Sequence, residues 1–234
     1  EDDELLELMR RAGFYRVFLG IETPVKESLK AAQKSQNMRS DLFQSVRKVQ
    51  SYGMEVMAGF IIGFDNDPED IFERQMNFIR ESAIPLAMVG LLTALPQTQL
   101  WRRLQREGRL VKESTGNNTD CSLNFIPRMD PKRLIEDYKI LLQTIYSPEE
   151  YYRRALECLK RVPAALQPQR CHPIRDFTTF MRVIFALGVR DRERSKFWRY
   201  MGRVAASHRE TFARAVILAA MGYHFRKLTE DYRR

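Results

Sequence analysis

The segment MEVMAGFIIGF, Met54 to Phe64, constrains the fold more than any other part of the chain. Glu55 is its only polar residue, and β-branched and aromatic side chains fill half of the rest. Turn formers bound it, Gly53 before and DNDPED after. Such a short, continuously apolar run fits a parallel strand buried on both faces. Parallel neighbours must be reached by long crossovers, so the flanking chain should supply helices and further strands.

It does. YRVFLGIETP (15–24) and LAMVGLL (86–92) are short runs rich in strand formers. Between and around them lie helical patterns. Leu5, Leu8, Met9 and Ala12 share one face before Gly13; Leu42, Val46 and Val49 share another before Gly53. Ile71, Gln75, Phe78 and Ile79 run to Pro85, and Leu100, Trp101 and Leu104 precede Gly108. Asp67 should cap the third of these helices, with Pro68 at its first position and Asp70 at its positive end. The order α-β-α-β-α-β-α over residues 1–112 predicts an α/β unit of parallel strands with right-handed crossovers. Three such strands alone leave a long apolar edge, and a closed (β/α)8 barrel takes roughly 250 residues. The unit is expected to be the second half of a barrel or of a doubly wound sheet. The chain starts inside a helix without Met, which suggests a C-terminal portion of a longer protein. In either fold ligands gather at the carboxyl ends of the strands. Those ends carry Gly20, Glu22 and Thr23; Gly63, Asp65 and Asn66; and Thr93, Leu95, Pro96 and Gln97.

Charge separates this unit from the second part of the chain. Residues 1–112 hold 16 basic and 16 acidic residues, so the remaining 23 basic and 14 acidic residues of 113–234 carry the whole net charge of +9. The second part reads as all-α. Asp130-Pro131 and Ser147-Pro148-x-Glu150 mark two helix starts, the latter as a capping box. Leu134, Tyr138, Leu141, Leu142 and Ile145 line the first helix; Tyr151, Ala155, Leu156 and Leu159 line the second. Beyond Pro163, Pro168 and Pro173, helices near 174–189, 192–207 and 209–228 should complete a small bundle. Arg192, Arg194, Lys196, Arg199 and Arg203, with Phe197, Trp198 and Tyr200 between them, admit three readings: a solvated face, an anionic membrane surface, or a nucleic-acid surface, the last least favoured. No apolar run reaches the ~20 residues of a membrane span; AVILAAMGYHF (215–225) is the longest. With three cysteines and no secretory signal, a cytoplasmic location is expected.

The strand ends also carry a resemblance. GIETP (20–24), KSQN (34–37), GFIIGFDND (59–67) and LPQTQLWRRLQREGRL (95–110), in this order, resemble the C-terminal half of a radical S-adenosylmethionine (SAM) barrel. More narrowly they are similar to the cobalamin-binding radical SAM proteins, which include hopanoid methylases and magnesium-protoporphyrin monomethyl ester cyclases. From about Cys121, NFIPRMDP and IYSPEEYYRR resemble the helical domain that follows the barrel in many of them. The resemblance implies that Glu22 accepts hydrogen bonds from the SAM ribose, and that Gly59, Ile61 and Gly63 lie against the adenine. It places Leu95 and Pro96 at the adenine border and counts Gly20 among the cofactor-binding positions. Thr23, Gln36, Asn37 and Asn66 are second-rank candidates, Asn66 standing where the family often has an acid. The bland alternatives are a turn-bracing Glu22, packing glycines, and Asp65 and Asp67 as loop or cap residues rather than metal ligands.

The family holds a [4Fe-4S] cluster on a CxxxCxxC loop, and Cys121, Cys158 and Cys171 do not form one. The cluster and any cobalamin would be ligated upstream, and residues 1–234 alone should be inactive, with no catalytic residue or metal ligand assigned here. The implied chemistry is reductive SAM cleavage and hydrogen abstraction from an unactivated carbon, followed by methylation or oxidative cyclisation of a small or lipid-like substrate. Ferredoxin or flavodoxin would be the reductant. The rivals are a nucleic-acid- or membrane-binding adaptor on a degenerate barrel, and a tRNA-modifying radical SAM enzyme.

Overall fold

The computed structural model describes residues 2–31, 41–114, 121–163, 173–207 and 209–231. The first part alternates as expected: α1 (Asp3–Arg11), β1 (Arg16–Glu22), α2 (Lys26–Ala31), α3 (Leu42–Ser51), β2 (Glu55–Ile62), α4 (Ile71–Glu81), β3 (Leu86–Leu91) and α5 (Gln99–Arg106). Side chains of Asp2, Asp41 and Thr98 accept from free backbone N–H groups at the starts of α1, α3 and α5. The strands form one parallel sheet in the order β1-β2-β3.

The two faces of that sheet differ. Val56, Ala58, Phe60 and Ile62 of β2 are fully buried with Ile21 of β1 and Ala87, Val89 and Leu91 of β3. Helix α4 helps cover this side: Ile71 and Ile79 are buried, and the Phe60 and Phe78 rings meet edge to face at 6.0 Å. The opposite face is open. Phe18 (57 % exposed), Gly20 and Met88 reach solvent there, and Met57, Gly59, Ile61 and Gly90 are half-buried. The expectation of a strand buried on both faces is therefore corrected. An apolar run states that a face should be covered but cannot name the covering element, and the described chain covers one side.

The helical part covers one edge of the sheet, that of β3, and β1 forms the other. Helices α6 (Pro131–Ile145) and α7 (Pro148–Arg161) come after the sheet. From α6 and its C-cap, the Tyr138 and Tyr146 hydroxyls each donate at 2.9 Å to Val89 O and Ala87 O. These alternate carbonyls lie on the side of β3 away from β2, which bonds through Leu92 N. An edge that invites pairing is capped by two phenols.

The remaining elements are α8 (Pro173–Val183), a π-helical continuation (Ile184–Arg190), α9 (Arg194–Ser207), a 3-10 turn (Arg209–Thr211) and α10 (Phe212–Asp231). Asp130 caps α6 as expected, accepting from Arg133 N at 2.8 Å. The capping box does not form. Ser147 Oγ donates back to Thr144 O (2.9 Å), and Glu150 is drawn to Arg153 (2.6 Å) and Arg80 (3.2 Å) instead. Asp67 likewise caps no helix, since α4 starts four residues later behind Asp70. Phe197 and Tyr200 are buried, so they belong to the core rather than to a stacking surface.

One hydrophobic core runs from the sheet through α6, α7, α9 and α10. Two buried ionic groups stitch it. Glu55, 1 % exposed at the start of β2, meets Arg16 of β1 (2.5 Å) and Arg214 of α10 (3.3 Å). The fully buried Arg154 of α7 donates from Nη1 to Ile84 O at 2.9 Å and from Nη2 to Ile145 O. Ion pairing and carbonyl bonds offset part of the desolvation cost of these buried charges, and burial still holds the Arg154 guanidinium below its usual range.

Candidate functional site

The carboxyl ends of the strands concentrate unusual backbone. Glu22 ends β1 with φ 67°, Gly63 comes after β2 with φ 104°, and Gln97 sits in the loop after β3 with φ 66°. Left-handed conformations in non-glycine residues carry a cost that native structures tolerate mostly at functional sites. A bulge between Gly20 and Glu22 breaks the β1–β2 register. There the Glu22 carboxylate folds back over Gly20: Oε1 lies 3.0 Å from where a Cβ on Gly20 would be.

The open face beneath it is a shallow trough. Gly20 and Gly59 are cross-strand neighbours, with Met88 alongside, and Ile61 pairs with Gly90. The Phe18 ring leans across, its Cζ 3.0 Å from the Cβ position of Gly59. The two glycines let the Glu22 carboxylate and the Phe18 ring lie against the backbone, while Met57, Ile61 and Met88 give the trough apolar walls. Gly20, Glu22, Gly59 and Ile61 are thus brought to one face. Leu95 and Pro96 are exposed in the loop after β3, at the same end of the sheet.

Other candidates go elsewhere. Gly63 abuts α6, with Leu134 Cδ2 3.4 Å from its Cβ position. Thr23 is buried, and its Oγ1 accepts from Val25 N (3.3 Å) inside the turn after β1. Asn66 is exposed in the loop after β2. Gln36 and Asn37, with the rest of KSQN, lie outside the described residues, as does Cys171.

The loop after β2 is braced by its two aspartates. Asp67 Oδ2 accepts from Gly63 N (2.8 Å) and Phe64 N (3.0 Å), and Ser28 Oγ donates to Oδ1 (2.6 Å). Burial pushes the Asp67 carboxyl above its usual range, its three hydrogen bonds opposing that shift. Asp65 is gripped by Arg109 at 2.6 and 2.9 Å and by Arg103 at 2.8 Å. The Arg109 hydrogen bonds hold the Asp65 carboxyl below its usual range. Sequence reasoning missed Asn124, whose side chain accepts from Ala94 N (3.0 Å) and donates to Ala94 O (2.8 Å), pinning the loop that carries Leu95. It stands 30 residues from its partner, with no local signal to reveal it.

One carboxylate above an apolar glycine trough fits a ligand with a hydroxylated ring and a planar base, as SAM has. An iron–sulfur cluster does not fit the described residues. No three His, Cys, Asp or Glu side chains among them converge, and the Cys158 thiol is buried and pushed upward by that burial.

Residues 98–234 match the model of the domain of unknown function DUF4070. An uncharacterized methyltransferase of Synechocystis is 36% identical over the whole chain, which covers 44% of that relative. The hopanoid C-2 methylase of Rhodopseudomonas palustris is 37% identical over 84% of the chain and 38% of its own length. The bacteriochlorophyllide d C-12(1)-methyltransferase of Chlorobaculum tepidum is 28% identical over 64% of the chain and 33% of its own length. The chain therefore spans less than half the length of these relatives. It belongs to the DUF4070 family, whose domain follows the radical SAM barrel in cobalamin-binding radical SAM methylases.

Proposed function

We propose that the full-length protein is a radical SAM methylase, and that this chain supplies part of its SAM pocket and the helical domain beyond it. The observation that carries the reading is the Glu22 carboxylate held over Gly20 at the carboxyl end of β1, in a left-handed conformation. The methylase names of the relatives favour methylation over cyclisation. When bound, SAM supplies a transferable methyl group or, after one-electron reduction, an adenosyl radical.

Within that pocket, Glu22 would accept hydrogen bonds from the ribose hydroxyls and fix the nucleoside's orientation. With the Phe18 ring swung off Gly59, the adenine would lie against Gly59 and Ile61, with Leu95 and Pro96 along its border. Asp65 and Asp67 position the loop after β2 without touching ligand. The open face needs a cover that also excludes water. With the β3 edge capped by Tyr138 and Tyr146, the rest of the barrel would join on the other side of the sheet, beside β1. The iron–sulfur ligands, any cobalamin site and the docking site of a ferredoxin- or flavodoxin-like reductant would lie in that remainder. A small lipid-like molecule is the favoured substrate, by likeness to the hopanoid methylase.

The test is SAM titration of reconstituted full-length protein against its Glu22→Gln variant, with melting temperatures for both. A charge-assisted hydrogen bond shielded from water is worth about 1.5–3 kcal/mol, so affinity should fall roughly ten- to a hundredfold with little change in melting. Unchanged affinity with a lowered melting point would return Glu22 to bracing the turn before Pro24.

A further inference from the structure

Helix α8 and its π-helical continuation carry an apolar stripe that is exposed among the described residues. Phe177 (64 % exposed), Met181 (48 %), Phe185 (60 %) and Val189 (54 %) recur every fourth residue. In a regular α-helix that spacing creeps around the surface, about 40° per step. The π turn over Ile184–Arg190 is wider, with more than four residues per turn, so it rotates the stripe back into line. The other side of the same segment is anchored: Leu187 is buried, and Phe180 lies 6.1 Å from the Phe212 ring of α10.

Trp198 of α9 extends the stripe. Its ring is 48 % exposed, yet its Nε1 donates to Gly188 O at 2.9 Å. A Cβ on Gly188 would come within 2.8 Å of that ring, so the contact requires glycine. An indole with its N–H satisfied and half its face outward suits an apolar–aqueous boundary. Arg182 and Arg190 are next in sequence to Met181 and Val189, Arg192 and Arg194 lie at the entry to α9, and all four are exposed, on the half of the chain that holds 23 basic and 14 acidic residues. No helix among the described residues is long and apolar enough to cross a membrane. An aromatic stripe rimmed by arginines has the make-up of a segment lying in the headgroup plane.

We propose that the α8–π–α9 face docks the protein on an anionic lipid surface, with Phe177, Met181, Phe185, Val189 and Trp198 inserted and the four arginines on the headgroups. This rests on exposure and charge and stands apart from the SAM reading. The basic residues of α9 alone lack the apolar face that membrane binding needs; α8 provides it.

The experiment is co-sedimentation of the full-length protein with vesicles of phosphatidylcholine alone or mixed with phosphatidylglycerol. Wild type should sediment with the anionic vesicles and much less with the neutral ones. F177S/F185S and R182E/R190E should each weaken that binding roughly tenfold or more, given about 1 kcal/mol per basic residue near the surface and a comparable gain per inserted ring. Both pairs are exposed, so melting temperature and SAM affinity should match wild type, and the arginine pair serves if the phenylalanine pair misfolds. Failure to sediment with anionic vesicles would overturn the proposal. So would equal binding by F177S/F185S, the mark of a purely electrostatic, nucleic-acid-like contact. A wild-type dimer that F177S/F185S splits, without vesicle binding, would assign the face to a second copy.

Discussion

Asp67 shows how one hidden carboxylate shapes a ligand-facing loop. Its three acceptor contacts hold the Gly63–Phe64 backbone, and Asp67→Ala would strand two N–H groups in a partly buried turn. We expect a loss of about 1–3 kcal/mol, measured by chemical denaturation. The pH dependence has a definite sign. Because burial raises the carboxyl above its usual value near 3.9, folding favours the protonated form. The stability Asp67 gains from that form is complete below the unfolded pKa and is lost as pH rises through the raised folded value. Wild type should therefore lose stability relative to Asp67→Asn from about pH 4 upward. A difference that grows in wild type's favour over that range would mean the hydrogen bonds outweigh burial. In the sequence, Asp67 reads as a helix cap; only the long contact to Ser28, 39 residues away, shows its other use.

At the scale of elements, Gly222 reverses an ordinary expectation. It sits inside α10, where Gly→Ala normally gains about 1 kcal/mol. Here a Cβ would fall 2.2 Å from Cε1 of Tyr151, a buried ring whose hydroxyl donates to Leu218 O at 2.6 Å. Gly222→Ala should instead destabilise by about 1–3 kcal/mol as the ring is forced aside. At about 2–4 °C per kcal/mol for a chain of this size, calorimetry would resolve the drop; a raised melting temperature would show that the ring yields freely. The helices themselves are legible in the sequence: the apolar spacing of α3, α4, α6 and α7 marks each of them, and Gly13, Gly53 and Gly108 mark ends. The wide turn over Ile184–Arg190 is not, because a π segment leaves no period of its own in seven residues.

The whole molecule behaves as one packed body. Strand residues Val56, Phe60 and Val89 share a core with Tyr138, Tyr151, Tyr200 and Leu218 of the helical part, and Glu55 draws Arg16 and Arg214 together across it. Residues 1–112 and 113–234 differ in charge but should melt in a single transition, coincident by near- and far-ultraviolet circular dichroism. Glu55→Ala should lower that one transition by about 3 kcal/mol, the low end for a broken buried ion group because both arginines keep some solvent. Two separated transitions would mean that the shared core contributes little.

The sequence by itself determined the alternation of parallel strands and helices, the all-α second part, the carboxyl-end residues Glu22, Leu95 and Pro96, and the resemblance that located them. Those arise from periodicity, turn residues and motif order, all local along the chain. Only the tertiary structure decided that Glu22 turns back over Gly20, that Gly63 and Thr23 face away from the trough, and that Tyr138 and Tyr146 close the β3 edge. It also decided that one sheet face and the stripe from Phe177 to Val189 remain open. Apolar character says that a surface prefers cover; which partner arrives, and on which side, depends on packing between residues tens of positions apart.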